Sequence, residues 1–307
     1  MTLDSNIIII KASPEEYNSG TWSSENLRQI VEGIERDGII VLEGATDPAN
    51  IDKLNDYMVE DAKVLRARAT RLNFGVENIQ QAAPLHLPDL LFDDLIGNSL
   101  LYEAVSHILG PKARLEFFSG NTAMAGNTQR QPVHSDTRCD YLSKTFFLVA
   151  NIPLIDFSPE TGATEVWPGT HKLRQHANFD PDHNTVLPEV LEARRKVRPP
   201  VQPTMPKGSI ILRDLTMWHC GVPNPSDKIR CMPALGFGAK WYKTLSSEVI
   251  VPNQVVYDRL KNKAEQSGLG FVGRVVPQDE YLAKIDAHEF KLEEIDNAEF
   301  GRKDVMA

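Results

Sequence analysis

The amino-acid sequence has the length and composition of a globular protein. It contains 307 residues, of which 41% are hydrophobic and 24% are charged, enough for a sizeable buried core and inconsistent with a disordered or fibrous chain. Its 33 basic and 42 acidic side chains give a formal charge of −9, which repels a phosphate backbone. We therefore predict no nucleic-acid partner, and we interpret the basic run at 194–198 as a solvated helix end.

Cysteine content and hydropathy indicate the compartment. Cys139, Cys220 and Cys231 are odd in number and lack C-x-x-C spacing, so they favour a reducing environment over a disulfide framework. Early apolar runs at 7–10 and 39–42 are far shorter than the ~20 residues of a membrane span. The opening residues do not match a secretory signal. The sequence predicts a cytoplasmic protein without a membrane partner.

The first third of the chain has helical periodicity around one strand. Apolar residues at i, i+3, i+4 and i+7 predict a helix that ends at Gly38 (Leu27, Ile30, Val31 and Ile34). Residues 39–42 read as a buried strand. A second helix is predicted to start at Asp47-Pro48, and a third, containing Leu101 and Val105, to end at Gly110.

From about residue 113 the pattern changes to short β-rich runs separated by Gly/Pro turns. The runs lie at 113–118, 145–152, 164–167, 209–213 and 232–237. Many short strands of this kind favour a β-sandwich or jelly roll. We predict a single domain over 1–307, with its parts arranged as a mostly helical flank at 1–112, a jelly-roll core at 113–240, an insertion at about 172–205 and an extension at 241–307. The insertion is predicted to hold a helix at 187–197, and the extension an amphipathic helix after Pro277.

One short motif carries metal-binding chemistry. His134 and Asp136 stand two residues apart, so on an extended segment their side chains point to the same face and can hold one ion. Such a pair is expected about once by chance in a chain of this composition, so a third ligand is needed. His219, which follows the strand-like run at 208–213, is the best candidate. Two histidines and one carboxylate leave three positions of a six-coordinate metal open, which suits Fe(II) oxygen chemistry.

An arginine that could bind an acidic ligand follows the second histidine. Arg230 lies eleven residues after His219 and just before the strand at 232–237. Its planar guanidinium can pair bidentately with a carboxylate. A chelating 2-oxo acid with a second, distal carboxylate would explain both the open metal positions and the arginine.

Several motifs together carry a family resemblance. They run in chain order as Gln131-Pro-Val-His134-Ser-Asp136, Pro159-Glu-Thr-Gly162-Ala-Thr-Glu-Val-Trp-Pro168-Gly-Thr-His171-Lys172, Lys207-Gly208-Ser-Ile-Ile-Leu212, His219 and Arg230. Over about residues 30–240 the chain resembles the phytanoyl-CoA dioxygenase-like family of Fe(II)- and 2-oxoglutarate-dependent oxygenases. It looks closest to the fungal branch that modifies secondary metabolites. The resemblance implies a double-stranded β-helix (jelly roll) core with flanking N-terminal and C-terminal helices, making the protein mainly β.

The resemblance also implies roles for individual residues. His134, Asp136 and His219 would bind iron. Four further side chains would bind the cosubstrate 2-oxoglutarate. Arg230 and Thr170 would hold its distal carboxylate, Gln131 would hydrogen-bond to it near the metal, and Arg71 would reach it from the N-terminal part of the chain. The enzyme would use dioxygen to oxidise a C–H bond of a small, largely apolar substrate, by hydroxylation, desaturation or rearrangement. Aromatic side chains that could shape the substrate pocket are Phe74, Trp218 and Trp241, although core packing is the default explanation for each of them.

Two other functions fit parts of the same pattern. A cupin-like metalloenzyme, an isomerase or hydrolase, would use the metal ligands without 2-oxoglutarate, and its activity would not depend on Arg230. A non-catalytic binding module on the same fold would bind no iron, but the intact ligand set argues against it. Because members of the fungal branch look like homodimers whose loops complete the neighbouring pocket, the resemblance also predicts a homodimer.

Overall fold

The computed structural model describes residues 7–68, 72–74, 77–139, 143–242 and 248–287. The helices of these segments are α1 Pro14–Ser19, α2 Ser24–Asp37, α3 Pro48–Ala67, α4 Asp93–Ile96, α5 Ser99–Leu109, α6 Pro188–Val197, α7 Gln254–Gln266 and α8 Gln278–Ala287. The strands are β1 Ile9–Lys11, β2 Ile39–Glu43, β3 Leu72–Phe74, β4 Asn78–Gln80, β5 Arg114–Ala123, β6 Phe147–Asn151, β7 Glu165–Val166, β8 Ile210–Asp214, β9 His219–Cys220, β10 Pro233–Gly238, β11 Val249–Val251, β12 Gly270–Phe271 and β13 Gly273–Val275. None of the described helices is long and apolar enough to cross a bilayer.

The strands form one large sheet and smaller partners. The large sheet has the order β1-β2-β8-β6-β10-β5-β4-β3, and β12 adds to β5. Most neighbours are antiparallel, whereas β1 pairs with β2, and β12 with β5, in parallel. The short β7–β9 pair, extended by single bridges from His134 and Val201, lies apart from this sheet. This is the mainly β, jelly-roll architecture with flanking helices that the sequence predicts.

Alternation along the central strands gives the large sheet two different faces. On β8, Ile210 and Leu212 belong to the principal apolar core together with residues of the N-terminal helices, whereas Ile211 and Arg213 face a cavity. On β6, Leu148 and Ala150 join that core, and the alternate residues of the strand, at 147, 149 and 151, face the same cavity. Successive side chains of a strand point to opposite faces, so the helices cover one side of the sheet and leave the other for a site.

The predicted helix boundaries agree closely with the structure because local signals set them. The Ser23 side chain caps the start of α2, and the Asp47 side chain accepts a hydrogen bond from the backbone of Ala49 at the start of α3. Helix α2 ends at Gly38, whose φ of 72° is left-handed and favours glycine. A Cβ at Gly38 would also overlap the ring of His171. The helix α7 had no sequence prediction, and the predicted C-terminal helix corresponds to α8.

Candidate metal centre and cavity

A short antiparallel bridge places the two histidines side by side. The backbone N–H of His134 donates to the carbonyl of His219 at 3.0 Å, and the N–H of His219 donates to the carbonyl of His134 at 2.9 Å. Two residues that exchange both hydrogen bonds are direct cross-strand neighbours. Their rings are consequently close, with centroids 4.5 Å apart. The two residues, 85 positions apart in the sequence, are thus brought together.

The geometry of the three predicted ligands suits one metal ion. One ligand atom each from His134, Asp136 and His219 lie within 4.8 Å of one another. The Nδ1 of His134 lies 2.9 Å from the carbonyl of Pro132, and the Nδ1 of His219 lies 3.0 Å from the carbonyl of Met217. These carbonyls accept from Nδ1–H, which leaves each Nε2 with the lone pair that a metal needs. Two imidazoles and a carboxylate are a donor set that fits iron.

Electrostatics keep two of these ligands in the protonation states that bind metal. Burial by itself would raise the pKa of Asp136, but Arg213 and the two imidazoles hold it well below its usual range. Burial, reinforced by Arg213, lowers the pKa of His219 to about 3. At neutral pH the carboxylate is therefore ionised and the His219 imidazole is neutral, as coordination requires.

The three ligands open onto a cavity of about 530 Å³ between the large sheet and the β7–β9 pair. One end is apolar, with Phe117, Phe147 and Leu215 in its wall. Asn121 and Asn151 bring side-chain amides to the other part. The volume falls in the range of small-molecule sites, and the mixture of apolar walls with a few polar groups is typical of them.

Two of the residues predicted to bind the cosubstrate lie at or directly behind the cavity wall. Gln131 lines the cavity, and its Oε1 accepts a hydrogen bond from the backbone of Gly221 at 2.8 Å. Arg230 is 1% exposed and lies behind the wall residues Asn121 and Phe157. It donates from Nη1 to the Asn121 carbonyl at 2.9 Å, and its guanidinium lies 5.6 Å from the centre of the Phe157 ring.

The guanidinium of Arg230 is a buried cation with no anionic partner among the described residues. No acidic side chain of the described segments pairs with it, and its Nε has no hydrogen-bond partner there. Burial lowers the pKa of Arg230 to about 10, which still leaves it charged at neutral pH. A buried unpaired charge is costly, so the site fits an acid ligand that the free protein lacks.

The structure does not bring Thr170 to the cavity. Its Oγ1 donates to the carbonyl of Trp167 at 2.7 Å and accepts from the backbone N–H of Trp218 at 2.9 Å. The hydroxyl is thus occupied in stabilising the turn before β9, and the predicted contact of Thr170 with the cosubstrate stays a prediction. Arg71 lies outside the described residues, so its predicted role stays a prediction.

Two of the three aromatic residues predicted for the pocket lie elsewhere. Trp218 is fully buried and packs edge-on against Phe179, with ring centroids 6.1 Å apart. It precedes His219 on an extended segment, and alternation turns it away from the cavity. Trp241 is 51% exposed and contacts Tyr242 at the surface. Phe74 has its backbone in β3, but its side chain is outside the described set. The aromatic wall consists instead of Phe117, Phe147 and Phe157.

Sequence reasoning missed one charged residue of the site. Arg213 lines the cavity and donates from Nη2 to Asp136 Oδ2 at 2.7 Å. Its signal was present, because Arg213 follows the run Ile210, Ile211 and Leu212 in a strand that is buried throughout. A charge in such a strand requires a buried partner, and that requirement could have identified it.

Fold and site together define a jelly-roll metalloprotein with a His-Asp-His centre at a small-molecule cavity. The sequence profile of the phytanoyl-CoA dioxygenase (PhyH) family matches residues 34–232, well over half of the chain. The chain therefore belongs to this family, and it is an enzyme of the iron- and 2-oxoglutarate-dependent oxygenase superfamily.

Solved structures share the fold at low sequence identity. The crystal structure of EctD from S. alaskensis with bound Fe has a TM-score of 0.56 and 18% identity, covering 90% of this chain and 94% of that one. The same protein with 2-oxoglutarate and 5-hydroxyectoine has a TM-score of 0.55, 19% identity and coverage of 78% and 82%. The epimerase SnoN, in complex with Fe³⁺, alpha ketoglutarate and nogalamycin RO, has a TM-score of 0.53, 16% identity and coverage of 70% and 84%.

Proposed function

We propose that the protein is an Fe(II)/2-oxoglutarate-dependent dioxygenase that oxidises a C–H bond of a small, largely apolar organic substrate. The observation that carries this proposal is the group His134, Asp136 and His219 at the wall of a 530 Å³ cavity. When bound, iron and 2-oxoglutarate would activate dioxygen, which is the oxidant. The protein's part is to bind, to orient and to exclude water.

The ligand-binding roles follow from the contacts of the side chains. His134, Asp136 and His219 would hold the iron on one face. Arg230, buried and without an acid partner in the part of the chain that the structure describes, would bind the distal carboxylate of 2-oxoglutarate from behind Asn121. A bidentate guanidinium–carboxylate pair would satisfy its free donors. Gln131 lies at the wall with its Oε1 fixed by Gly221, which leaves its amide N–H₂ available as a donor for the cosubstrate.

The apolar end of the cavity supports a largely apolar substrate. Phe117 and Phe147 flank Gly236 on the cavity face of the sheet, and a Cβ at Gly236 would overlap Phe117 and lie 2.8 Å from Phe147. The glycine therefore lets the two rings pack against the sheet, which keeps the space in front of them open. A substrate held by such rings is fixed by shape, and its orientation decides which C–H bond lies nearest the metal. Hydroxylation, desaturation and rearrangement are all compatible with this arrangement.

The test of the proposal is turnover of 2-oxoglutarate by the Fe(II)-reconstituted protein in air. We expect one succinate for each 2-oxoglutarate consumed, with formation lost in the variant His134→Ala. A metabolite screen then identifies the substrate by the compounds that accelerate this turnover. No succinate from the wild-type protein under any condition would contradict the proposal.

The competing function is a cupin-like metalloenzyme, an isomerase or hydrolase that does not use 2-oxoglutarate. It shares the three metal ligands but has no use for a buried guanidinium at position 230. The two functions differ in their response to Arg230→Ala, which should abolish 2-oxoglutarate dependence in a dioxygenase and leave a cupin-like activity unchanged. The buried, unpaired Arg230 favours the dioxygenase.

We further propose the biological setting. The motif resemblance supports a fungal secondary-metabolite pathway, and the three buried free cysteines fit a reducing, cytoplasmic location. The same resemblance supports a homodimer. Light scattering at micromolar concentration should give twice the chain mass, and a value of about 34.3 kDa, the mass of one chain, would contradict the dimer.

A further inference from the structure

The wall of the cavity contains a guanidinium, that of Arg213, which the proposed roles do not use. Arg213 lies on β8, in register with Val149 of β6, and its side chain is about one-tenth exposed. Among the described residues that line the cavity, the charged or ionisable ones are the three candidate metal ligands and Arg213. A guanidinium in this place needs favourable contacts to compensate it, because its removal from water costs free energy.

Arg213 is held from two sides. Its Nε donates to Asn151 Oδ1 at 3.2 Å, and its Nη2 donates to Asp136 Oδ2 at 2.7 Å. Asn151 belongs to β6, the strand next to β8, so the anchor is part of the rigid sheet. The guanidinium therefore sits at a fixed place, and the carboxylate of Asp136 must adapt to it.

The two oxygens of Asp136 consequently have different partners. Oδ2 is bound by Arg213, whereas Oδ1 lies 3.6 Å from Nε2 of His219 on the side of the two imidazoles. Oδ1 is thus placed to meet a metal, and Oδ2 is engaged in a charge-assisted hydrogen bond.

We propose that Arg213 is a positioning residue that limits Asp136 to a single metal bond. The inference rests on the proposed function and concerns the number of open positions at the metal. Two imidazoles and one carboxylate oxygen leave three positions of a six-coordinate ion free, whereas a carboxylate bound through both oxygens leaves two. Chelation of 2-oxoglutarate uses two positions, so only single-oxygen binding leaves one for dioxygen.

The direct test is the coordination of Mn(II), used as an air-stable probe, in crystals of the wild type and of Arg213→Met with 2-oxoglutarate. We expect one Asp136 oxygen within about 2.5 Å of the metal in the wild type. In Arg213→Met both oxygens should bind. In solution the Fe(II) form of the variant should bind 2-oxoglutarate within about threefold of wild type yet form succinate roughly 10–100 times more slowly, the size of effect typical of groups that orient metal ligands.

The matched control is Arg198→Met, which removes the guanidinium from another buried arginine–aspartate pair. Arg198 donates to Asp37 at 2.6 Å, and both side chains are almost fully buried. This variant should lose stability but keep one Asp136 oxygen on Mn(II) and the wild-type affinity for 2-oxoglutarate. If Arg213→Met does not fold, Arg213→Gln gives the same readout, because its side chain is two bonds too short to reach Oδ2.

The outcomes separate this inference from the function on which it rests. Wild-type protein that binds no Mn(II) or Fe(II) at His134 and His219 would contradict the proposed function. Two results would overturn the role of Arg213 and leave the proposed function intact. One is a wild-type metal bound by both Asp136 oxygens. The other is Arg213→Met with a metal bound by one Asp136 oxygen and with succinate formation at the wild-type rate.

Discussion

Two arginine–aspartate pairs of the described residues, Arg198–Asp37 and Arg213–Asp136, have different surroundings, and these give them different uses. Arg198 and Asp37 meet at 2.6 Å where α2 ends, and the second oxygen of Asp37 binds Arg36. Arg213 and Asp136 meet at 2.7 Å on the cavity wall, and the second oxygen of Asp136 faces His219. The chemistry of the two pairs is the same.

The difference lies in what else each carboxylate contacts. Both oxygens of Asp37 are occupied by guanidinium groups and its side chain is fully buried, so the pair can only connect α2 to the segment after α6. The Asp136 side chain is one-quarter exposed and has an oxygen directed toward two imidazoles. A buried ion pair thus becomes a functional site when one partner retains an unused lone pair at a cavity.

The largest expected effects come from removing the charge of each aspartate in turn. Asp37→Asn leaves Arg198 buried without its anion, and we expect it to lower the free energy of unfolding by about 3–5 kcal/mol, as for other broken buried pairs. Asp136→Asn should cost less stability, because water in the cavity can reach Arg213. It should weaken Fe(II) binding by more than the roughly 100-fold seen for outer partners of metal ligands. Urea unfolding and anaerobic metal titration measure both.

The comparison fails if the two effects are exchanged. Loss of metal affinity in Asp37→Asn at unchanged stability, or normal Fe(II) binding in Asp136→Asn, would contradict the structural role of the first pair and the metal-binding role of the second.

The buried guanidinium of Arg230 sharpens the comparison, because no aspartate of the described residues pairs with it. Arg230→Met should weaken 2-oxoglutarate binding to the Fe(II) form by about 2–5 kcal/mol, which is at least ~30-fold, since truncating one partner of a buried charge pair costs this much. The metal-free variant should be as stable as wild type or more so, because an unpaired buried ion has been removed. Titration of 2-oxoglutarate and thermal unfolding measure the two effects.

The exposed Lys228, two residues earlier, provides the control. Lys228→Met removes a nearby positive charge without touching the cavity wall and should change neither quantity. Equal 2-oxoglutarate affinity in Arg230→Met and Lys228→Met would contradict the assignment of Arg230.

The smallest expected effect is the pH dependence of the metal-free protein. The pKa of His219 is lowered to about 3 in the folded state, first by burial and then by Arg213, against about 6.5 when unfolded. Between these values the unfolded chain holds a proton that the folded one lacks, so stability falls as the pH drops below about 6.5. This group contributes up to roughly 1.4 kcal/mol per pH unit. His219→Gln should therefore show a shallower loss of stability between pH 6 and 4.5, and an unchanged slope would argue against the buried neutral imidazole.

Local sequence signals predicted much of the fold and the centre of the site. Helix stops such as Gly38 and the Asp47-Pro48 start depend on nearby residues alone, and the structure agrees with them. Alternation along the extended segment turns Trp218 away from the side of its neighbour His219, yet Trp218 was kept as a pocket candidate and proved to be core. Thr170 was expected at the cosubstrate, but its hydroxyl bonds to the backbone of its own turn and of β9.

The parts that could not be predicted depend on pairings between distant segments. The parallel addition of β12 to β5 joins residues more than 150 positions apart, and no local pattern specifies it. Likewise, Arg213 and Asp136 are 77 positions apart, and only the register of β8 against β6 brings the guanidinium to the carboxylate. A charged residue in an apolar strand indicates that a partner exists but not which residue it is.

The account depends most on one metal centre that also accepts 2-oxoglutarate, and an anaerobic titration with Fe(II) followed by 2-oxoglutarate tests it directly. We predict a visible charge-transfer band that saturates at one equivalent of each, is absent in His134→Ala and requires far more 2-oxoglutarate in Arg230→Met. A wild-type protein that binds Fe(II) but develops no band at any 2-oxoglutarate concentration would contradict the account.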